Sequence, residues 1–231
     1  MSRVLRIANT SIGMKLLMAL SGLVLIGFLV GHLAGNLKMF GGPEDMNSYA
    51  DGLHQHPVLL WSVRLVLLAA VLVHIVEGLR LWRRNRRARQ HGSAGYQREK
   101  TLRASLASRH MTALGLVVLA FLVFHLLHFT FRAVANEHSE VIDSMGRRDV
   151  FAMVHSAFQN PILIAVYVVG LLAVALHLWH GAPSTPQSLG ISHSAYDRAL
   201  RGGARLVAVL LVLGFIAIPL CIYFGLVPNA G

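Results

Sequence analysis

The sequence predicts an all-α integral membrane bundle of five transmembrane helices, with the N-terminus cytoplasmic and the C-terminus outside. Three observations carry this expectation. Of the 231 residues, 55% are hydrophobic and only 13% are charged. Apolar stretches of roughly 20 residues, the length that a bilayer core demands, recur along the chain. Cationic residues concentrate in alternate connections between those stretches, as the positive-inside rule requires. The formal charge of +11 would suggest nucleic acid in a soluble basic domain. Set between spans it reads as topology, and no nucleic-acid partner is expected. A single cysteine, Cys221, excludes an internal disulfide, a cysteine-ligated iron–sulfur cluster within the chain and the C-x-x-C-H attachment of a c-type haem. No internal repeat or low-complexity segment interrupts the pattern, so residues 1–231 read as one membrane-anchor domain.

The first span, Met14–Leu33, follows Arg3, Arg6 and Lys15. It resembles a signal peptide, but its apolar part is longer than an h-region and no small-residue cleavage site follows, so it is expected to be retained. Its outgoing end carries Gly27, Gly31 and Gly35 at every fourth position around His32. On a helix these glycines leave one face without side chains, where another helix or a flat ligand can approach the backbone. Lys38 to Pro57 reads as a polar, net acidic outer loop containing Glu44, Asp45 and Asp51.

The second span, Val58–Trp82, returns inward and ends in Arg80, Arg83, Arg84, Arg86, Arg87 and Arg89. Arg98, Lys100, Arg103 and Arg109 follow, with Glu99 as the only carboxylate of that connection. This is the cytoplasmic side, and the run can set topology, lie on anionic lipid or dock a partner. The third span, Met111–Phe131, leads to an outer loop, Arg132 to Asn160, with Glu137, Glu140, Asp143 and Asp149 against Arg132, Arg147 and Arg148. The fourth span, Pro161–Gly181, runs inward to a connection holding Arg198, Arg201 and Arg205 against Asp197. The fifth, Ala204–Val227, runs out again.

Thirteen histidines are out of place in such a composition, because an ionisable side chain inside a span marks a ligand, a relay or a pathway. Topology gives each one a depth. His32 on the first span and His125 and His128 on the third lie in an outer layer. His74 on the second and His177 and His180 on the fourth lie in an inner layer. Each layer thus has candidates from two helices, as two bis-imidazole haems would require, since the two axial ligands of an iron stand on opposite sides of the porphyrin. His125 and His128 are three residues apart and project towards a similar face of a helix; depth alone favours His128, and for the inner layer it favours His177 over His180. A zinc site or a proton relay competes with this reading, although zinc prefers three or four ligands in one layer.

Three segments together resemble the single-chain, dihaem cytochrome b membrane anchor of succinate dehydrogenases and fumarate reductases. The first includes Ser11, Lys15, Met18-Ala19 and Ser21-Gly22 and continues through Gly27-Phe28-Leu29-Val30-Gly31-His32-Leu33-Ala34-Gly35-Asn36-Leu37. The second is Ser108-Arg109-His110-Met111 leading to Phe124-His125-Leu126-Leu127-His128-Phe129. The third is Leu176-His177-Leu178-Trp179-His180-Gly181 followed by Gln187-Ser188-Leu189-Gly190. His74 with Gly78 one turn later adds to them, and the resemblance covers essentially the whole chain.

The resemblance implies a bacterial cytoplasmic-membrane subunit with two b-type haems, ligated by His32 with His125 and by His74 with His177. It also implies docking to an iron–sulfur subunit and, through it, to a flavoprotein carrying FAD, with room for a higher oligomer of the complex. Electrons from succinate would reach a lipid quinone, menaquinone in the first instance, and the succinate chemistry itself would lie on a partner. A fumarate reductase would run the same anchor in reverse. The anchor of a hydrogenase or formate dehydrogenase, or a transporter using histidines without haem, are rival classes. Gly31 is then a wall that a porphyrin edge can approach, and Arg64, Arg109, Lys38 and Ser21 are candidates for propionate or headgroup contacts. Phe28, Trp61, Phe129, Trp179 and Tyr167 are candidate quinone neighbours. His54-Gln55-His56 reads as a solvated outer loop, and Glu77, three residues after His74, is expected to pair with Arg80.

Overall fold

The computed structural model describes residues 9–90, 106–135, 141–191 and 193–228. The expectations attached to Arg3, Arg6, Arg98, Glu99, Lys100, Arg103, Glu137 and Glu140 lie outside the described residues, as do those attached to the side chains of Arg89 and Arg109. The elements are α1 (Ser11–Asn36), α2 (Pro43–His54), α3 (Pro57–Gln90), α4 (Leu106–His125), α5 (Val150–Ala157), α6 (Pro161–Gly181), α7 (Thr185–Ser188) and α8 (Asp197–Tyr223), and no β-sheet forms among the described residues. Among the described residues five helical stretches, built on α1, α3, α4, α6 and α8, are long and apolar enough to cross a membrane. The chain is therefore an all-α, multi-pass membrane protein. Its apolar side chains point outward as well as inward: α3 leaves more than half of Val58, Leu65, Val66, Leu68 and Leu72 exposed. That surface would be costly in water and is matched by hydrocarbon.

The helix ends follow local chemistry. Thr10 caps α1 by accepting the Gly13 amide at 3.0 Å on its hydroxyl oxygen, which starts the helix three residues before the apolar run. α3 continues beyond Trp82 through the arginine run because arginine is a good helix former and no glycine or proline intervenes. α8 begins at Asp197, not Ala204, and stops at Tyr223. There Gly225, at φ +69°, closes the end as Leu226 donates to the Cys221 carbonyl and Gly225 to that of Ile222. This crossed pair is the glycine-dependent Schellman stop.

The chain divides into two compact units. The first takes residues 9–27, 66–90, 106–116, 176–191 and 193–208. In it Gly78 of α3 packs on Met18 of α1, so closely that an added Cβ would lie 3.1 Å from the Met18 methyl. Glu77 pairs with Arg80 at 2.8 Å, as its spacing predicts, and Arg80 also donates to Asn9.

The second unit takes residues 28–65, 117–135, 141–175 and 209–228. Its core gathers Met39, Met46, Phe151, Phe158, Tyr167 and Ile222. The connections between α1 and α3 and between α4 and α6 are partly helical where the sequence reads as loop. Pro43 at the first turn, Glu44 and Asp45 beside it and His54 in the last turn make α2, with the N-terminal proline and the charge placement that the helix dipole favours. Asp149 caps α5 through the Ala152 amide at 2.8 Å. A polar clamp joins α2 to this segment. Arg147 bonds Glu44 at 2.7 Å and Asp143 at 2.8 Å, and the buried Asn47 donates to Asp149 at 3.0 Å and accepts from the Phe151 amide at 3.0 Å.

Candidate functional site

The in-span histidines meet in two cross-helix pairs, one inside each unit. In the second unit His32 of α1 faces His125 at the end of α4, with ring centroids 5.9 Å apart and planes at 79°. In the first unit His74 of α3 faces His177 of α6, with centroids 6.1 Å apart and planes at 62°. Two imidazoles bound to one metal ion on opposite sides, at about 2 Å per bond, have centroids roughly 6 Å apart. Both pairs have that spacing. Among the described residues no three of His, Cys, Asp and Glu gather, whereas a protein zinc site takes three or four ligands. A pair of facing neutral imidazoles fits the axial set of a haem.

The His74/His177 pair is flanked by glycines. An added Cβ on Gly22 of α1 would lie 3.5 Å from His74 Cε1, and one on Gly115 of α4 would lie 3.5 Å from His177 Cε1. Each ring thus lies almost on a neighbouring helix backbone, and a longer side chain at either position would fill the space it uses. Ser21 Oγ donates to the Leu17 carbonyl at 2.8 Å and stands 3.2 Å from His74 Nδ1. His177 Nδ1 is buried and meets no hydrogen-bond partner among the described residues. His180, on the last turn of α6, is half-buried; His177 is the ring that stands against His74.

The His32/His125 pair sits in an aromatic cage. Phe28 stacks on His32 at 5.2 Å, Phe215 lies 5.7 Å from it, and Phe121 and Phe129 flank His125. Tyr167 Oη lies 3.3 Å from His125 Nδ1 and 2.9 Å from His128 Nδ1. His125 and His128 are separated by a change of helix type. α4 ends at His125 and widens into a π-turn over Leu126–Thr130, closed by the Phe131 amide on the Leu126 carbonyl at 2.8 Å. Both rings still reach the one Tyr167 hydroxyl, and it is His125 that stands against His32. His128 is instead fully buried, stacked on Phe129 at 4.1 Å.

The remaining candidates are dispersed. Gly31 and Gly27 are exposed, and an added Cβ would meet nothing within 4 Å, so that face of α1 is open. Arg64 lies over the Trp61 ring at 5.0 Å, on exposed surface. Lys38 is exposed after α1, and Trp179 lies under Arg205 at 5.3 Å. His54 donates to the Ala50 carbonyl at 2.7 Å from an exposed position. Sequence reading did not single out Gly115, nor the hydroxyls of Ser21 and Tyr167 as partners of the histidines. A lone serine or tyrosine in a span carries no signal of its own, because its use depends on which histidine the packing brings to it. No known protein family, characterised protein or solved structure matches the chain.

Proposed function

We propose that this chain is the haem-carrying membrane anchor of a succinate dehydrogenase, with His32 and His125 holding one b-type haem and His74 and His177 the other. The observation that carries the reading is the pairing itself: two histidine pairs, each joining different helices and each at the spacing of a single shared metal ion. The resemblance of the three histidine segments to dihaem anchors supports the same four residues. Bound haem would supply one-electron transfer between an iron–sulfur partner and a membrane quinone, taken as menaquinone.

The chain's residues serve that task by restraint. The four imidazoles come from four different helices, so each pair would hold a haem between two helices and ligation would tie those helices together. Phe28 and Phe215 lie against His32 and Phe121 and Phe129 against His125, an apolar setting that would tune the potential of a haem bound there. Gly22 and Gly115 let the other two rings lie against helix backbone. The arginine run at the end of α3 marks the cytoplasmic side, where the iron–sulfur subunit and, beyond it, the FAD subunit would dock in a bacterial cytoplasmic membrane.

The test is an optical spectrum of the complex purified through this chain, with its co-purifying subunits identified. Reduced b-type bands and a flavoprotein with covalent FAD are expected. Absence of the bands refutes haem binding, and a nickel or molybdenum subunit in place of the flavoprotein refutes the succinate assignment.

A further inference from the structure

We propose that Ser21 and Tyr167 are positioning residues, one per histidine pair, whose hydroxyl oxygens accept the Nδ1 proton of His74 and of His125 and thereby turn Nε2 of each ring into the metal-facing donor. The inference rests on the haem reading above and extends it to residues that touch only the ligands.

A hydroxyl has one proton to give and two lone pairs. Ser21 is buried, and its proton is committed to the α1 backbone, to the Leu17 carbonyl at 2.8 Å with the Met18 carbonyl at 3.1 Å. With that proton given to Leu17, Ser21 Oγ turns a lone pair towards His74 Nδ1 at 3.2 Å, beside the Met18 backbone, which also bonds the ring. This arrangement favours the His74 tautomer with its proton on Nδ1, which leaves the Nε2 lone pair available. Tyr167 is buried as well and stands between two imidazoles of the same helical run. It can donate to one of them and must accept from the other. The shorter contact, 2.9 Å to His128 Nδ1, suits donation by a phenol; the longer, 3.3 Å to His125 Nδ1, suits acceptance of an imidazole N–H. His128 is then held as an acceptor, and His125 presents Nε2. The same hydroxyl distinguishes the ligand from its neighbour three residues on.

An acceptor on the remote N–H makes an imidazole a stronger donor, because it lends the ring partial imidazolate character. Stronger donation favours the more positive, oxidised metal. Removing the acceptor should therefore raise the midpoint potential of that haem and leave the other unchanged. Redox titration of the intact membrane complex, followed optically, reads this directly. Tyr167→Phe should shift upward only the haem that His125→Ala abolishes. Ser21→Ala should shift upward only the haem that His74→Ala abolishes, and Ser21→Thr, which keeps the hydroxyl, should restore it. If Tyr167→Phe loses its haem altogether, the Ser21→Ala and Ser21→Thr pair decides. Unchanged potentials, equal shifts of both haems, or failure of Ser21→Thr to restore the potential would overturn the inference while leaving haem ligation intact. A wild-type complex without haem bands would overturn both.

Discussion

Asn47→Ala should destabilise the fold by an amount that the geometry sets. Asn47 is 1% exposed, and its side chain makes two sound hydrogen bonds, to Asp149 Oδ1 and from the Phe151 amide, both at 3.0 Å. The Phe151 amide belongs to the first turn of α5, where no helical carbonyl can reach it, and Phe151 is fully buried. Truncation strands that amide, at about 1–3 kcal/mol, and removes a bond to a carboxylate, at about 1.5–3 kcal/mol, for a total near 4 kcal/mol. Unfolding in mixed detergent micelles, followed by circular dichroism, measures the loss against wild type. An Asn47→Ala protein within about 0.5 kcal/mol of wild type would refute the clamp as the anchor of α2.

Further predictions concern the polar clamp and two glycines. Hydrogen bonds from Arg147 and then Ser48 hold the Glu44 carboxyl at about 2 in place of its ordinary 4.5. Burial would raise Asp143, but hydrogen bonds from the Arg147 backbone and side chain outweigh it and lower it too. Since the folded values lie below the unfolded ones, the stabilisation is complete above about pH 4.5 and disappears as pH falls through about 2. Susceptibility of this segment to an acid-active protease should rise across that window, and Arg147→Met should abolish the dependence; a flat wild-type profile would contradict the coupling. At Gly170 of α6 a Cβ would run into the Phe121 ring, so Gly170→Ala should cost about 1–3 kcal/mol by overpacking. Gly27→Ala meets nothing within 4 Å and should be neutral or slightly stabilising in the same unfolding measurement.

The five spans were legible because membrane helices announce themselves by length and composition, without reference to their neighbours. Their ends were less legible: α6 ends at Gly181 as expected, but the helical stretch runs on to Ser188, and α8 ends at Tyr223 because Gly225, not the last apolar residue, decides. α2 was written in Gly42-Pro43-Glu44-Asp45 and was obscured by its polar composition. The pairs His32/His125 and His74/His177 could be reached from depth and resemblance, yet depth leaned towards His128. What separates the two is packing, since His125 stands against His32 whereas His128 is buried against Phe129 and Tyr167, and no spacing rule contains that. Asn47 likewise owes its role to partners about a hundred positions away.

The most direct test of the two-pair arrangement is the haem complement of four single variants, His32→Ala, His125→Ala, His74→Ala and His177→Ala, by reduced-minus-oxidised spectra and redox titration of the purified complex. The prediction is that His32→Ala and His125→Ala lose one and the same haem, and that His74→Ala and His177→Ala lose the other. Loss of a single common haem by His32→Ala and His74→Ala, or two retained haems in any of the four, would contradict it.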